Sequence, residues 1–584
     1  MSSAKSNSDS RIKTHNLKIG IPSPKSLASS PLQALASGIL MGLTVAPVGA
    51  WFLAWVALAP LWVLVVRSHS SEVRSQKEKA IHPSAFILYP LAWGIGYHGV
   101  ALFWITGIHP MTWMGVSWIN SLAIALFCWI FITLWGAALV VTWAVSMRVI
   151  LNWGGFIPPR PLIKGGDKIQ NPLTRILIGT ALWCSLENLW SSGALWWSSL
   201  AYTQSPHNLA ILHLGQISGD NTITAAIVLV NAAIAEAWIN RQPQKPPLYS
   251  SASRQSPQRG ENTHGAGSSA PGRFAHQGYL TLAAGLLISL HLLGYTLYTH
   301  PLTQPPDTAL KVGIIQGNVP NQIKLYPAGI RRAIEGYTQG YKTLANQGVE
   351  AVLTPEGALP FMWSQVINTS FYQAVKEKEV VAWLGAFGEW GRGYTNSLFT
   401  LTSTGEYSRY NKVKLVPIGE YIPFEQYLGG MVERLSPLKE HQVAGAPNQV
   451  FDTPFGRAIV VICYGSAFPE QFRYQASLGG QFILSPSNDA HYSAAMPAQH
   501  HALDVMRAIE TDRWAVRATN TGYSAVVNPH GETVWISGHN TYELHADTIY
   551  RRQTQTLYVR WGDWLTPLLL TLAIIALVIA KVNF

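Results

Sequence analysis

Long apolar stretches alternate with polar connections through the first half of the chain, and one more lies at the C-terminal end. A helix needs about 20 mainly apolar residues to cross the hydrocarbon core of a bilayer. The pattern predicts an α-helical membrane bundle of about eight spans: six within 31–240, the seventh at 278–298 and the eighth within 561–581. The eight stretches lie near residues 31–47, 50–66, 84–106, 118–146, 176–197, 209–239, 278–298 and 564–580.

Basic residues mark the connections on one side of this bundle. Lysine and arginine cluster in the tail 1–30 and after the second, fourth and sixth spans, whereas the connections 47–50, 107–113 and 198–206 contain none. By the positive-inside rule, the tail and the even-numbered connections are cytoplasmic. The connection 241–277, rich in Pro, Ser, Gln and Gly, is predicted to be a disordered cytoplasmic linker. The segment after span seven is then predicted to lie outside the cytoplasm.

The composition is typical of a membrane protein and narrows the range of functions. The chain has 584 residues, of which 48% are hydrophobic and 12% charged, with 23 tryptophans. The basic clusters account for the net charge of +11, so this charge reflects membrane orientation and does not favour nucleic-acid binding. Of the three cysteines, Cys128 and Cys184 lie inside predicted spans, and Cys463 is alone in the external segment. That segment has no disulfide framework and is expected to fold around an ordinary hydrophobic core.

Residues 309–553 show a different pattern, in which short apolar runs alternate with amphipathic stretches. One of these stretches, 329–347, has a helical repeat. The alternation predicts an α/β domain whose helices cover buried sheets, with polar residues at strand ends as candidates for chemistry. The apolar runs lie at 310–316, 351–354, 380–386, 397–401, 458–463, 482–485, 515–519 and 524–527.

Three strand ends carry residues that suit acyl transfer through a covalent intermediate. Glu356 follows the run 351–354, Lys412 follows a strand-like segment and precedes Glu420 by eight residues, and Cys463 ends a β-branched run. A thiol nucleophile needs a base, and the oxyanion of acyl transfer needs a cation or N–H donors. Taken singly, these residues have simpler interpretations: an acid near a helix N-terminus, a solvated lysine and a small core residue.

Together, these residues and their context resemble the nitrilase superfamily, and most closely its membrane branch, the apolipoprotein N-acyltransferases. The resemblance extends over nearly the whole chain, because that family also has eight spans with an α/β domain between the last two. It implies an αββα sandwich over residues 309–553. The motifs that carry it are QGNVP (316–320), TPE (354–356), Lys412 through EYIP (420–423), ICY (462–464), NDA (488–490), QH (499–500), RAIE (507–510) and RATNTG (517–522).

The resemblance assigns a role to each candidate. Glu356 is expected to be the general base, Lys412 to stabilise the oxyanion and Cys463 to be the nucleophile. Glu420 matches a second family carboxylate, and Tyr464 and Glu389 are further supporting candidates. Three positions of the chain depart from the family pattern: Gly465 replaces the usual glutamate after Cys-Tyr, Lys324-Leu325 lacks the usual tryptophan, and His491 replaces an aromatic residue after Asn-Asp-Ala. The missing carboxylate predicts that the charges of the site are arranged around Glu420 or Glu389.

The implied reaction has two steps and no cofactor or metal. Cys463 takes an acyl chain from a glycerophospholipid, usually phosphatidylethanolamine, and leaves a lysophospholipid. The α-amino group of the S-diacylglyceryl-cysteine at a lipoprotein N-terminus then receives the chain from the thioester. The resemblance also implies a multi-pass protein of the bacterial inner membrane with its catalytic domain in the periplasm.

Apolar residues follow the Glu356 and Glu420 motifs and have two interpretations of equal weight. They form loops that enter the lipid and admit acyl chains, or they pack beneath those loops. These residues are Phe361, Met362, Trp363, Phe424, Tyr427 and Leu428.

Two other functions stay open on the sequence. One is a membrane-anchored carbon–nitrogen hydrolase with the same triad, although a soluble amide or nitrile substrate requires only a single anchor. The other is a catalytically silent module that binds lipid or lipoprotein, to which Gly465 lends weight. The 18 histidines show no ligand spacing that predicts a metal site.

Overall fold

The computed structural model describes residues 24–75, 84–153, 171–241, 271–391, 393–417, 419–421 and 442–582. Seven long helices precede the α/β domain, and each overlaps one of the first seven predicted spans. They are α1 (Pro24–Gly42), α2 (Ala59–Ser75), α3 (Ser84–Ala101), α4 (Trp118–Trp153), α5 (Pro172–Ser192), α6 (Asp220–Asn240) and α7 (Pro271–Tyr298).

Four segments of this region are helical, long and apolar enough to cross a membrane, as judged by length and composition over the described ranges. The helices pack as a bundle, with α3 between α1 and α4, and α6 between α5 and α7. The stretch 118–146, long enough for two spans, forms part of one 36-residue helix, α4. The four segments are Trp51–Ser68, Trp118–Leu151, Asp220–Asn240 and His276–Tyr298.

Two predicted spans differ from the observed helices. The third is shorter than 84–106, because α3 ends at Ala101 and a 3-10 turn follows at Phe103–Ile108. The sixth, 209–239, is divided into two one-turn helices before α6 begins. Gly219 makes the break: its φ is +72°, and a side chain there would lie 2.6 Å from the ring of Tyr558.

The helix α7 also begins earlier than predicted, so the prediction of a linker through residue 277 is wrong at its C-terminal end. This helix starts at Pro271, and a proline suits the first helical position because its missing N–H is unpaired there in any case. Packing against α6 extends the helix beyond its apolar stretch, since His276 Nδ1 lies 2.9 Å from the carbonyl oxygen of Ala237. Residues 242–270 and 1–23 lie outside the described residues, so the rest of the linker and most of the tail stay predictions.

Over its described residues, the α/β domain contains twelve strands in two sheets of six. All eight predicted runs overlap strands, although the run 458–463 continues beyond the strand that ends at Val460. The first sheet has the order β12-β1-β2-β3-β4-β5 and the second the order β11-β10-β9-β8-β7-β6. The strands are β1 (Ala309–Gln316), β2 (Ala351–Leu353), β3 (Val381–Trp390), β4 (Gly393–Thr402), β5 (Gly405–Asn411), β6 (Phe451–Thr453), β7 (Gly456–Val460), β8 (Ile483–Ser487), β9 (Ala515–Thr519), β10 (Ala525–Val527), β11 (Thr533–Ile536) and β12 (Glu543–Tyr550).

Helices cover the outer face of each sheet, which gives the αββα sandwich. The helices α8 (Pro327–Asn346) and α9 (Ser370–Lys378) pack on the first sheet. The second sheet carries α10 (Pro469–Ser477) and α11 (Ala495–Thr511). The chain then returns to the bundle through the C-terminal helix α12 (Leu565–Val582), which packs on α5 and overlaps the eighth predicted span.

The second sheet shares its outer hydrophobic core with the membrane bundle. One continuous cluster of buried residues includes Trp183 of α5 and Ile227 of α6 together with Phe472 and Met506 of the domain helices. Polar contacts reinforce this junction. Gln499 of α11 accepts hydrogen bonds from the indole nitrogens of Trp104 (3.0 Å) and Trp197 (2.9 Å). The α/β domain is therefore fixed on the ends of the bundle helices.

Candidate active site

A buried charge cluster forms where β5 ends. Lys412 follows the last residue of β5, and its Nζ lies 2.8 Å from Glu356 Oε1 and 2.7 Å from Glu420 Oε1. The exposed fractions of the three side chains are 1%, 7% and 14%, so water screens these charges little. Glu420, predicted as a supporting carboxylate, is a direct partner of the lysine.

Local structure positions each member of this cluster. Glu356 lies in the turn after β2, where Asn396 of β4 donates a hydrogen bond to its Oε1 at 2.7 Å. That turn passes close to β3, because a side chain at Gly385 would lie 2.0 Å from the carbonyl oxygen of Pro355. The backbone N–H of Lys412 bonds to the carbonyl of Asn396 at 2.7 Å, so one residue holds both the acid and the lysine.

Electrostatics keep Lys412 charged. Burial alone disfavours the ammonium, but Glu356 and Glu420 outweigh it and raise the pKa of Lys412 well above its usual 10.5. Burial raises the pKa of Glu420 against the opposing effect of Lys412. A permanent cation between two carboxylates suits a group that has to stabilise developing negative charge.

Cys463 lies on a strained turn, separated from the end of β7 by Val461 and Ile462. Its φ is +51°, a left-handed conformation that residues with a side chain adopt rarely, and it opens the 3-10 turn Cys463–Ala467. Burial, reinforced by the negative charges of Glu356 and Asp489, raises the thiol pKa well above its usual value, while Lys412 and the backbone N–H of Asn488 lower it. Lys412 lowers the thiol pKa, as a nearby cation should, but the raising effect of burial is larger. The resting thiol is protonated and requires a base.

Asp489 and His500 lie beside the thiol. One ligand-type atom from each of Cys463, Asp489 and His500 lies within 4.8 Å of the others, which is compact enough to be considered for a metal. However, His500 Nδ1 is 3.0 Å from Asp489 Oδ1, and its Nε2 is 2.9 Å from the carbonyl oxygen of Cys463. Neither ring nitrogen has a free lone pair directed at a metal position, so the arrangement fits a hydrogen-bonded group better than a metal site.

Lys324 is a second lysine at the site that the sequence prediction did not assign a role. Its Nζ lies 3.3 Å from the backbone oxygen of Glu356. Burial lowers the pKa of Lys324 to about 8, against the raising effects of Glu356 and Cys463. Its position was visible in the sequence only as a departure from the family pattern at Lys324-Leu325. Asn396 was missed as well, since an asparagine inside a strand carries no motif.

The other supporting candidates separate in space. Tyr464 anchors the turn Cys463–Ala467 on the bundle: its hydroxyl donates to the carbonyl oxygen of Ala194 (2.5 Å) and accepts from the N–H of Trp196 (3.1 Å). Glu389 lies at the exposed end of β3, where its carboxylate accepts from the N–H of Ser364 at 3.2 Å. The charges are therefore arranged around Glu420, and Glu389 lies outside the buried cluster.

Gly465, which replaces the family glutamate, fits a tight space in the same turn. A Cβ at this position would lie 2.4 Å from Cγ1 of Val461 and 3.5 Å from Oε1 of Gln471. Real Cβ contacts are not this short, so any larger residue requires Val461 to move. The turn Cys463–Ala467 is thus packed for a glycine at position 465.

The candidate lipid-facing residues that the structure describes are half-buried. Phe361 and Trp363 pack against the core outside the first sheet, and Trp363 stacks on Phe399 with ring centroids 5.2 Å apart. Met362 lies beside Phe387 of β3. For residues 361–363, these contacts favour the interpretation that the side chains pack beneath the loops. Phe424, Tyr427 and Leu428 lie outside the described residues.

A cavity of about 590 Å³ lies next to the segments that follow Lys412 and Cys463, although neither of these two residues lines it. Lys414 lines it shortly after Lys412, and Phe468 lines it at the end of the Cys463 turn. Its opposite wall comes from the ends of α5 and α6, including Asn188 and Asp220. The cavity thus lies between the α/β domain and the bundle.

Comparisons with known proteins agree with this architecture. The carbon-nitrogen hydrolase family model matches residues 312–557, and a model of the apolipoprotein N-acyltransferase N-terminal domain matches residues 37–233. An apolipoprotein N-acyltransferase from Nostoc sp. strain PCC 7120 is 63% identical over 534 residues, which cover 91% of this chain and 96% of that protein. One from Synechocystis sp. strain PCC 6803 is 48% identical over 541 residues, which cover 92% and 98%.

Among solved structures, an amidase from Nesterenkonia sp. is similar over 46% of this chain and 99% of its own, with 18% identity and a TM-score of 0.33. The two family models together match most of the chain, bundle and α/β domain alike, and the cyanobacterial relatives align over nearly their whole length. The chain belongs to the apolipoprotein N-acyltransferase family.

Proposed function

We propose that this N-acyltransferase takes an acyl chain from phosphatidylethanolamine onto Cys463 and passes it to the α-amino group of an S-diacylglyceryl-cysteine at a lipoprotein N-terminus. One observation carries the proposal: the buried Glu356–Lys412–Glu420 cluster interacts with a buried thiol, in a chain of this family. A base, a cation and a nucleophile are the set that acyl transfer through a thioester requires.

The first half-reaction begins with proton transfer from the Cys463 thiol to Glu356, since the raised pKa of the thiol leaves little thiolate at rest. The thiolate attacks the ester carbonyl, and Lys412 stabilises the oxyanion. Collapse of the tetrahedral intermediate breaks the bond to the glycerol oxygen. Protonated Glu356 returns its proton to that oxygen, which releases lysophospholipid and leaves the acyl group on sulfur.

The second half-reaction reverses these roles. The free α-amine of the acceptor attacks the thioester carbonyl, and Glu356 accepts the proton that nitrogen loses. Lys412 again stabilises the oxyanion. The C–S bond breaks, the thiol regains its proton and the amide product leaves. A single base therefore serves both half-reactions.

We also propose that the chain has eight spans in the bacterial inner membrane and that the catalytic domain lies in the periplasm. The alternation of basic and uncharged connections supports this orientation. Contacts of Tyr464 with Ala194 and Trp196, and of Gln499 with Trp104 and Trp197, support a site held near the ends of the bundle helices. Both substrates are membrane-anchored, so this height raises their effective concentration at the thiol.

Trapping the acyl-enzyme tests the chemistry. Purified protein in nanodiscs receives phosphatidylethanolamine with a labelled acyl chain, and we expect a hydroxylamine-sensitive adduct on Cys463 that a diacylglyceryl peptide discharges. Cys463→Ser is expected to form none, whereas Cys128→Ser, a matched control in α4, keeps the adduct. Hydrolysis of amides without a lipid-derived adduct would favour the hydrolase, and the absence of either reaction would favour the binding module. Protease cleavage of the catalytic domain in intact spheroplasts tests its periplasmic location.

A further inference from the structure

We propose that Asp489 and His500 form a charged pair that positions the nucleophile, with an imidazolium ring holding the main chain of Cys463 in its left-handed conformation. This inference rests on the proposed role of Cys463. Neither residue is among those assigned to the chemistry above. The argument follows from the hydrogen bonds of the ring, the charges around it and the conformation of the cysteine.

The ring of His500 is completely buried and both of its nitrogens face acceptors. Nδ1 lies 3.0 Å from the Asp489 carboxylate, and Nε2 lies 2.9 Å from the carbonyl oxygen of Cys463. A carbonyl oxygen only accepts, and an ionised carboxylate only accepts. A neutral imidazole has one donor and so satisfies one of these bonds. The geometry therefore calls for a ring protonated on both nitrogens.

The surrounding charges agree with this protonation state. A second buried pair lies next to the first: Arg517 Nε is 2.7 Å from Asp504 Oδ2, and Asp504 accepts from Ser466 in the turn Cys463–Ala467. With His500 charged, the four groups have no net charge; with a neutral ring, one negative charge would be left buried, which is costly. His500 and Arg517 hold the pKa of Asp489 below its usual value despite burial.

The adjacent residues Asn488 and Asp489 act on both the thiol and the main chain of Cys463. The backbone N–H of Asn488 lowers the pKa of the Cys463 thiol, while the next residue, Asp489, holds the ring that bonds to the carbonyl oxygen of Cys463. The φ of +51° at Cys463 is unfavourable for a residue with a side chain and persists only when surrounding contacts enforce it. The bond from His500 is such a contact. It holds the main chain of the residue whose sulfur interacts electrostatically with Glu356 and Lys412.

Three substitutions separate this role from simple packing. His500→Leu removes the donor to the Cys463 carbonyl, and we expect thioester formation from phosphatidylethanolamine to fall roughly 10²-fold with KM for the acceptor peptide unchanged. His500→Gln keeps one N–H donor and is expected to recover part of that loss. Asp489→Asn leaves a neutral ring that still donates from Nε2, so it is expected to retain more activity than His500→Leu. His501→Leu, in the next position of the same buried helix, is the matched control.

The pH dependence of alkylation gives a readout that packing would not change. The rate of iodoacetamide labelling of Cys463 is followed by mass spectrometry from pH 6 to 10, below the raised pKa of the thiol, where the rate follows the small thiolate fraction. His500→Gln removes a positive charge close to the sulfur, so the labelling rate at a given pH is expected to fall about tenfold or more. An unchanged labelling rate in His500→Gln, or equal losses of thioester in His500→Leu and His501→Leu, would overturn the proposal.

Controls on the wild-type protein separate the test of the Asp489–His500 pair from the test of the proposed acyl transfer. If wild-type protein forms no adduct on Cys463, the proposed function fails. The Asp489–His500 pair is then still tested by iodoacetamide alkylation of Cys463, which requires no acyl transfer. If His500→Leu does not fold, His500→Gln and Asp489→Asn provide the test. Wild-type labelling and thioester formation in the same preparation therefore precede the comparison.

Discussion

We expect removal of the Lys412 ammonium from the buried charge cluster to lower the stability of the fold. In Lys412→Met, a side chain of similar length replaces the lysine, and Glu356 and Glu420 lose a partner at 2.8 and 2.7 Å. Both carboxylates stay buried, since their exposed fractions are 7% and 14%. Breaking a buried pair on one side is costly because it leaves uncompensated charge in a medium of low polarity.

The expected cost is about 3–5 kcal/mol in the free energy of unfolding at pH 8. For a domain of this size, that lowers the unfolding midpoint by roughly 6 to 20 °C. The loss depends on pH. Burial already raises the pKa of Glu420, and loss of the lysine raises it further, so the cost is complete above the raised value and disappears as pH falls and this carboxylate is protonated. The difference from wild type is therefore expected to shrink between pH 8 and pH 5.

Tryptophan fluorescence during heating of the detergent-solubilised protein measures both midpoints. Lys342→Met is the control, because Lys342 pairs with Glu377 at 3.0 Å but both side chains are exposed, by 36% and 57%. We expect no measurable shift for that variant. Equal midpoints for Lys412→Met and wild type at pH 8, or a difference that grows toward pH 5, would refute the reasoning.

Three further variants test other parts of the site. Glu356→Gln keeps an amide that can still contact Asn396 and Lys412 but removes the base, so thioester formation is expected to fall about 10²- to 10⁴-fold with little change in the unfolding midpoint; a normal rate of adduct formation by mass spectrometry would exclude Glu356 as the base. Gly465→Ala places a Cβ 2.4 Å from Val461 Cγ1 and is expected to cost about 1–3 kcal/mol, and Val461→Ala in the same chain should recover part of it. A purely additive double variant in thermal unfolding would contradict that contact. Tyr464→Phe removes the hydroxyl that bonds to Ala194 and Trp196, so faster hydrogen exchange is expected at residues 193–198; unchanged exchange there would argue against Tyr464 as the anchor of the turn.

The sequence predicted the elements whose signal is local. The strands that lead to Glu356 and Cys463 are apolar runs buried on both faces, and such runs are recognisable without tertiary information. The strand β12 was not predicted, because its sequence ELHADTIY mixes charges with apolar residues and forms a strand by pairing with β1 along eight positions. The break before α6 was missed for a similar reason, since a single glycine in an apolar stretch does not reveal a nearby tyrosine ring.

The site shows the same division. The Glu356–Lys412 pair followed from the resemblance, but the contact of Glu420 with the same ammonium is a property of the fold. The raised pKa of Cys463 could not be predicted, because burial and the opposing effects of Glu356 and Lys412 depend on distances. His500 appeared only as part of a two-residue motif. Its partners come from residues 11 and 37 positions away, and sequence spacing does not encode such a meeting.

The hydrophobic core that joins the second sheet to the bundle has a consequence for biogenesis. Arg507 of α11 is paired with Asp220 at the start of α6, at 2.8 Å, and Phe472 belongs to the same buried cluster as the bundle helices. A secreted fragment limited to residues 309–553 would expose that apolar face and leave a guanidinium without its aspartate, so it would aggregate before reaching a native state. We therefore expect the α/β domain to require contact with the bundle helices in order to fold. Substitutions that destabilise bundle helices far from the thiol are then expected to reduce the amount of folded enzyme as well as its rate of acyl transfer.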